Sequence, residues 1–176
     1  MTEPTADQPA LTPAEAADRV VDWWEHHRGD ASLVHLTVDR NDGAAESVLR
    51  EVHRRVPGSI LLDATGKSAE GLLRALLSEL GVLDGCHYAF EWGERIKKLG
   101  RDHLVLIDHA QSAGLTRRSA QPELVVQRLA GSLRYKSGIG TVVAGPRERK
   151  KRSRNLTLAL HLASPSGDAT PPPTDL

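Results

Sequence analysis

Residues 59–77 read SILLDATGKSAEGLLRALL. Ile60, Leu61 and Leu62 form a short apolar run of the kind that makes a strand covered on both faces. Gly66 is placed to make the turn, and Ser68 to cap a helix with Glu70 and Gly71 behind it. Leu72, Leu73, Leu76 and Leu77 then fall along one helical face. The stretch is one strand, one tight turn and one amphipathic helix, and the rest of the chain repeats that alternation.

Upstream, TPAEAADRVVDWWEHHRG starts a helix with Thr12 as N-cap, Pro13 at the first helical position and Glu15 closing a capping box, and it stops at Gly29. SLVHLTV (32–38) is a strand and 44–56 a helix; 59–64 and 68–80 are the pair already described. A helix follows near 88–99, then HLVLIDHA (103–110), a helix over 122–136, GTVVAG (140–145) and NLTLALHL (155–162). Short apolar strands separated by helices imply parallel pairing with right-handed crossovers, and hence an α/β fold: a three-layer α/β/α sandwich on a mainly parallel five-stranded sheet. Ligands of such sheets sit at the carboxyl ends of the strands.

With 176 residues, 39% of them hydrophobic, one ordinary core is expected, spanning 11–163 with 11–29 as a leading helix. Residues 1–10 are polar and unpatterned, and 164–176 (SPSGDATPPPTDL) are Pro/Ser/Gly/Asp-rich, so both read as disordered tails. Basic and acidic residues number 23 each, so no overall field draws the molecule to nucleic acid or an anionic membrane. The single cysteine, Cys86, excludes an intrachain disulfide and a cysteine-rich zinc site. No segment has the pattern of a signal peptide or membrane span, and a cytoplasmic protein with no membrane partner is expected.

Gly66-Lys67-Ser68 ends as a phosphate-cradling loop ends, but that loop needs a glycine five residues before Gly66 so that the backbone can curl around phosphate. The position is Leu61, in the apolar middle of the strand. The motif therefore reads as a turn and a helix cap, with Lys67 in solvent.

The order of elements resembles the nucleotide-binding core of P-loop NTPases of the STAND and AAA-like group, over about Leu33 to Leu162. DATGKSAEGLLRALLSELG is similar to the second strand and helix of that family, HLVLIDHAQSAG to its Walker B strand, and GTVVAGPRER to the following strand with its arginine-bearing end. The resemblance implies a strand order of 5-1-4-3-2 and places LTVDRNDGAAESVLREV at the phosphate loop. Aligning Ser47 with the family's Ser/Thr puts Glu46 at the lysine, Ala45 at the preceding glycine and Arg40 at the first glycine; Gly43 alone remains of the glycines. An anion at the lysine position repels phosphate, and a Cβ at Ala45 stands where backbone should approach it. Asp108 matches the magnesium-coordinating carboxylate, the one metal-ligand candidate, although a strand-end Asp also serves as a helix cap or an arginine partner. Gln111 and Ser112 stand where the family has its second acid, and neither is a general base near neutral pH. No catalytic residue is assigned.

The remaining constellations are thin. The eight histidines lie on different elements without HExxH spacing, and Cys86 beside His87 is no evidence of a dyad in space. The basic run RERKKRSR suggests anion or nucleic-acid contact through Arg147, Arg149, Lys150, Lys151, Arg152 and Arg154, or a solvated loop; aromatics for base stacking are missing from it. Trp24 is expected in the core, and Trp23 half exposed at a possible interface. The leading expectation is a non-catalytic, degenerate P-loop-type domain without a cofactor, a regulatory or protein-interaction module of a bacterial signalling or conflict system. The alternatives are an ATP/Mg-binding protein using Gly43, Ser47, Asp108 and Arg147, and nucleic-acid binding through 147–154.

Overall fold

The structure is a computed structural model, and it describes residues 10–28, 33–38, 43–82, 94–95, 103–114, 129, 133, 139–146 and 156–163. The elements are α1 (Pro13–His26), β1 (Leu33–Val38), α2 (Ala44–Arg55), β2 (Ile60–Asp63), α3 (Ala69–Glu79), β3 (Leu104–Asp108), a 3₁₀ turn (Ala110–Ser112), β4 (Gly140–Pro146) and β5 (Leu156–His161). The tails, the two helices expected near 88–99 and over 122–136, Arg40, Cys86, Trp92 and the basic run with Arg147 lie outside the described residues or largely so.

The strands form one sheet in the order β2-β3-β4-β1-β5, and all four pairings are parallel. Side chains alternate across it, as the two-residue period of a strand requires. Leu104 and Leu106 of β3, with Val142 and Ala144 of β4 and Val34 and Leu36 of β1, face α1 and α2. Val105 and Ile107 of β3, Val143 of β4, and Ile60 and Leu62 of β2 face α3 together with Leu129 and Leu133. Two cores on opposite faces of one sheet make the fold a three-layer sandwich.

Helix α1 starts where its capping box places it. Thr12 accepts from the Glu15 N–H, and Glu15 Oε2 accepts from the Thr12 N–H at 2.9 Å. Its end differs from expectation: the last helical residue is His26, with His27 as C-cap donating back to Trp23 and Trp24 carbonyls. Trp23 differs too, being 7% exposed rather than half open, because the His27 ring stacks on it at 5.9 Å and Trp24 tilts against it at 6.3 Å. An exposed Trp23 interface is thereby withdrawn. Just before α1, Leu11 bridges to Leu162 and so lays the chain beside the end of β5.

Candidate functional site

Asp63 and Asp108 are register partners at the carboxyl ends of β2 and β3. The chain leaves both strands there through short loops that are stitched together by backbone. The Ala64 N–H donates to the Asp108 carbonyl at 3.0 Å, the Gly66 N–H to the Ser112 carbonyl at 2.8 Å, and the Gly114 N–H to the Lys67 carbonyl at 2.8 Å.

These bonds decide the Gly66-Lys67-Ser68 question. A phosphate cradle needs backbone N–H groups aimed at a ligand. Here the Gly66 N–H is spent on Ser112, the Lys67 N–H on the Ala64 carbonyl and the Gly71 N–H on Ser68 Oγ. Lys67 Nζ turns back to the Asp63 carbonyl at 2.7 Å, so it is tethered rather than simply solvated. Leu61, which would open the loop, is a mid-strand residue paired with Leu106. Gly66 takes φ +67, a turn conformation that favours glycine. Ser68 is the N-cap of α3.

The first turn of α2 brings a different group to the same end of the sheet. Gly43, at φ +81, is the N-cap of α2, and the Ser47 N–H donates to its carbonyl at 3.0 Å. Glu46 lies in the first turn, half-buried, followed by an exposed Ser47. A Glu46 carboxylate oxygen, an Asp108 carboxylate oxygen and a His109 ring nitrogen all lie within 4.8 Å of one another. Arg50 pairs with Glu46 along the helix at 2.5 Å, but its side chain is 71% exposed. At the outer limit of 4.8 Å, two ionised carboxylates would repel by about 1 kcal/mol in bulk water and about 3.5 kcal/mol at an effective dielectric of about 20.

His109 completes the group. It adopts a left-handed backbone, φ 53 and ψ 38, uncommon for a residue with a Cβ, and its N–H donates to Asp108 Oδ1 at 2.8 Å. Its Nδ1 lies 3.2 Å from Asp63 Oδ1 and 3.7 Å from Asp108 Oδ2. Hydrogen bonds from Thr65 hold the Asp63 carboxyl below its ordinary range, and His109 adds to that. Asp63 and Asp108 thus flank the same ring nitrogen, Nδ1.

Of the residues singled out by sequence, Gly43 and Ser47 open and continue the first turn of α2, and Asp108 ends β3. Arg147, Arg149, Lys150, Lys151, Arg152 and Arg154 lie outside the described residues. The sequence marks Glu46 only as a lost lysine and His109 only as one of eight scattered histidines, and it leaves Asp63 out of the site. The one local signal was the Asp-His pair at a strand end; the contacts with Glu46 and Asp63 cross 62 and 46 positions of chain.

No protein-family model matches the chain, and no curated protein matches it. Among solved structures, it is similar to the ORC2 protein of Aeropyrum pernix in its ADPNP-ADP complexes, with a TM-score of 0.56, 14% identity, and coverage of 91% of this chain and 50% of that one. Drosophila ORC bound to AT-rich DNA and Cdc6 (TM-score 0.48, 11% identity, 77% of this chain and 48% of that) and C. elegans PCH-2 (TM-score 0.47, 15% identity, 88% and 43%) also align. This chain thus spans half the length of the ORC2 chain or less of the others. No helix among the described residues is long and apolar enough to cross a membrane. The described core shares the α/β, parallel-sheet fold of the ORC2 structure.

Proposed function

We propose that this chain is a P-loop-like domain that does not turn over nucleotide and works as a regulatory or protein-interaction module, in a bacterial signalling or conflict system. The observation that supports it is the charge at the α2 terminus: Glu46 places a carboxylate beside Asp108, where the resemblance puts a lysine. A helix N-terminus favours an anion, and this one already carries its own. Polyphosphate arriving there meets two carboxylates and no lysine from α2. Hydrolysis also needs a base placed on the attacking water. The residues aligned with the family's second acid, Gln111 and Ser112, sit in the 3₁₀ turn, and the Ser112 backbone is occupied in bonds to Gly66 and His109.

The test is thermal unfolding of the full chain with and without millimolar ATP or ADP and magnesium. The expected result is no shift in wild type and the beginning of one in Glu46→Lys, where the shape of the cradle regains its cation. A rise of several degrees in wild type, removed by Asp108→Ala, would mean that nucleotide binds the native state and would overturn the reading.

A further inference from the structure

We infer that Glu46, Asp108 and His109 form a site for a divalent first-row transition-metal ion, zinc before others, that binds without nucleotide. The three donors come from two separate parts of the fold, the first turn of α2 and the carboxyl end of β3, and converge within 4.8 Å. Two ligands on opposite sides of one ion at about 2.0–2.2 Å each lie about 4.0–4.4 Å apart, so the three side chains would close in by a few tenths of an ångström or more to bind it.

An independent observation points to a cation. The Asp108 side chain is only 13% exposed, and no lysine or arginine among the described residues forms an ion pair with it. A largely desolvated carboxylate facing a second carboxylate calls for positive charge. Arg50 engages Glu46 from the solvent side and makes no ion pair with Asp108.

The chemistry of the donor set selects the ion. Two carboxylates alone would suit magnesium, calcium or manganese, whereas an imidazole in the set shifts preference to zinc, copper, iron or nickel. Asp63 then has a role that its exposed position does not suggest. Lying 3.2 Å from Nδ1, it can fix the ring's orientation, so that the ion would meet the ring at Nε2, the usual service of a carboxylate behind a metal-bound histidine. The stitched backbone between the β2 and β3 loops holds Asp63 and His109 in that relation.

The experiment is calorimetric titration of the full chain, stripped with chelator and dialysed free of nucleotide, with zinc, manganese and magnesium chlorides. One zinc per chain is expected, with magnesium at least tenfold weaker. Asp108→Asn, His109→Gln and Glu46→Gln should each weaken zinc binding tenfold or more, and Asp63→Asn should weaken it less than these. His53→Gln, in the last turn of α2, should bind as wild type. Absence of saturable binding would overturn the site. So would zinc retained at full affinity in the three ligand variants, which would place the ion elsewhere, or magnesium binding as tightly as zinc, which would remove the imidazole from the set. Metal-free unfolding temperatures check that each variant folds; Glu46→Gln, at the rim of the site, decides the matter if the others do not. Because nucleotide is absent throughout, a failure here is separate from a failure of the ATP test.

Discussion

Replacing Gly140 with alanine tests how closely α1 is seated on the sheet. Gly140 begins β4, and a Cβ built there would lie 2.6 Å from Trp24 Cζ3, 3.1 Å from Cε3 and 3.4 Å from Leu104 Cδ1. Carbon atoms rest about 3.5–4.0 Å apart, so the ring must retreat by about 1 Å. Trp24 is 1% exposed and packs within the core shared by α1, α2 and the sheet, so it has no open side to move into. Overpacking of this kind costs about 1–3 kcal/mol, while the lower entropy of the unfolded alanine chain returns about 0.4–1 kcal/mol. The net loss of about 1–2 kcal/mol corresponds to a Tm lower by about 2–8 °C for a chain of this size. Thermal and urea unfolding of Gly140→Ala, Trp24→Leu and the double variant provide the assay. Trp24→Leu alone is expected to cost on the order of 3 kcal/mol through the cavity it leaves. In its background Gly140→Ala should be neutral or stabilising, giving a coupling energy of about 1–3 kcal/mol. If Gly140→Ala is as stable as wild type with Trp24 present, the close approach of α1 to β4 is wrong.

Two further outcomes follow from the helix starts. Thr12→Ala should destabilise by about 1 kcal/mol at neutral pH, seen as a lower urea midpoint with an unchanged slope. Hydrogen bonds from the Thr12 backbone and hydroxyl lower the folded-state pKa of Glu15 below its ordinary 4.5, so this contribution is complete above that pH and fades as pH falls through the folded value. The Thr12→Ala penalty should therefore shrink in acid; a penalty constant from pH 7 to pH 3 would disprove the capping-box account. Ser68→Ala removes the oxygen that accepts the Gly71 N–H and should cost about 1 kcal/mol. Were Ser68 a phosphate ligand instead, its replacement would change a nucleotide response and leave stability alone.

The elements were legible from local chemistry. Thr12, Pro13 and Glu15 start α1, and Ser68 starts α3, because an N-cap satisfies its orphan donors from residues two or three positions away. Strand β3 is recognisable because five successive apolar or strand-ending residues, Leu104 to Asp108, suit burial on both faces. The status of Gly66-Lys67-Ser68 was also readable, since Leu61 lies where no strand residue can open a loop. Missed were the burial of Trp23 and the end of α1 at His26, both of which rest on His27: its ring stacks on Trp23 and its N–H closes the last turn.

Sequence alone determined the strands and helices seen among the described residues, and that they build an α/β fold on a parallel sheet, because capping, turn chemistry and hydrophobic period act over a few residues. It also determined that Glu46 brings an anion to the start of α2. Only the tertiary structure decided what that anion meets. Parallel strands joined by crossovers bring residues distant in the chain to one sheet edge, so the register of β2 on β3 sets Asp63 beside Asp108, and the packing of α2 on the sheet sets Glu46 against Asp108 and His109. Apart from the adjacent Asp108 and His109, the spacing of those residues in the chain carries no trace of the site, because their distances are set by sheet order and helix packing, to which local periodicity is blind.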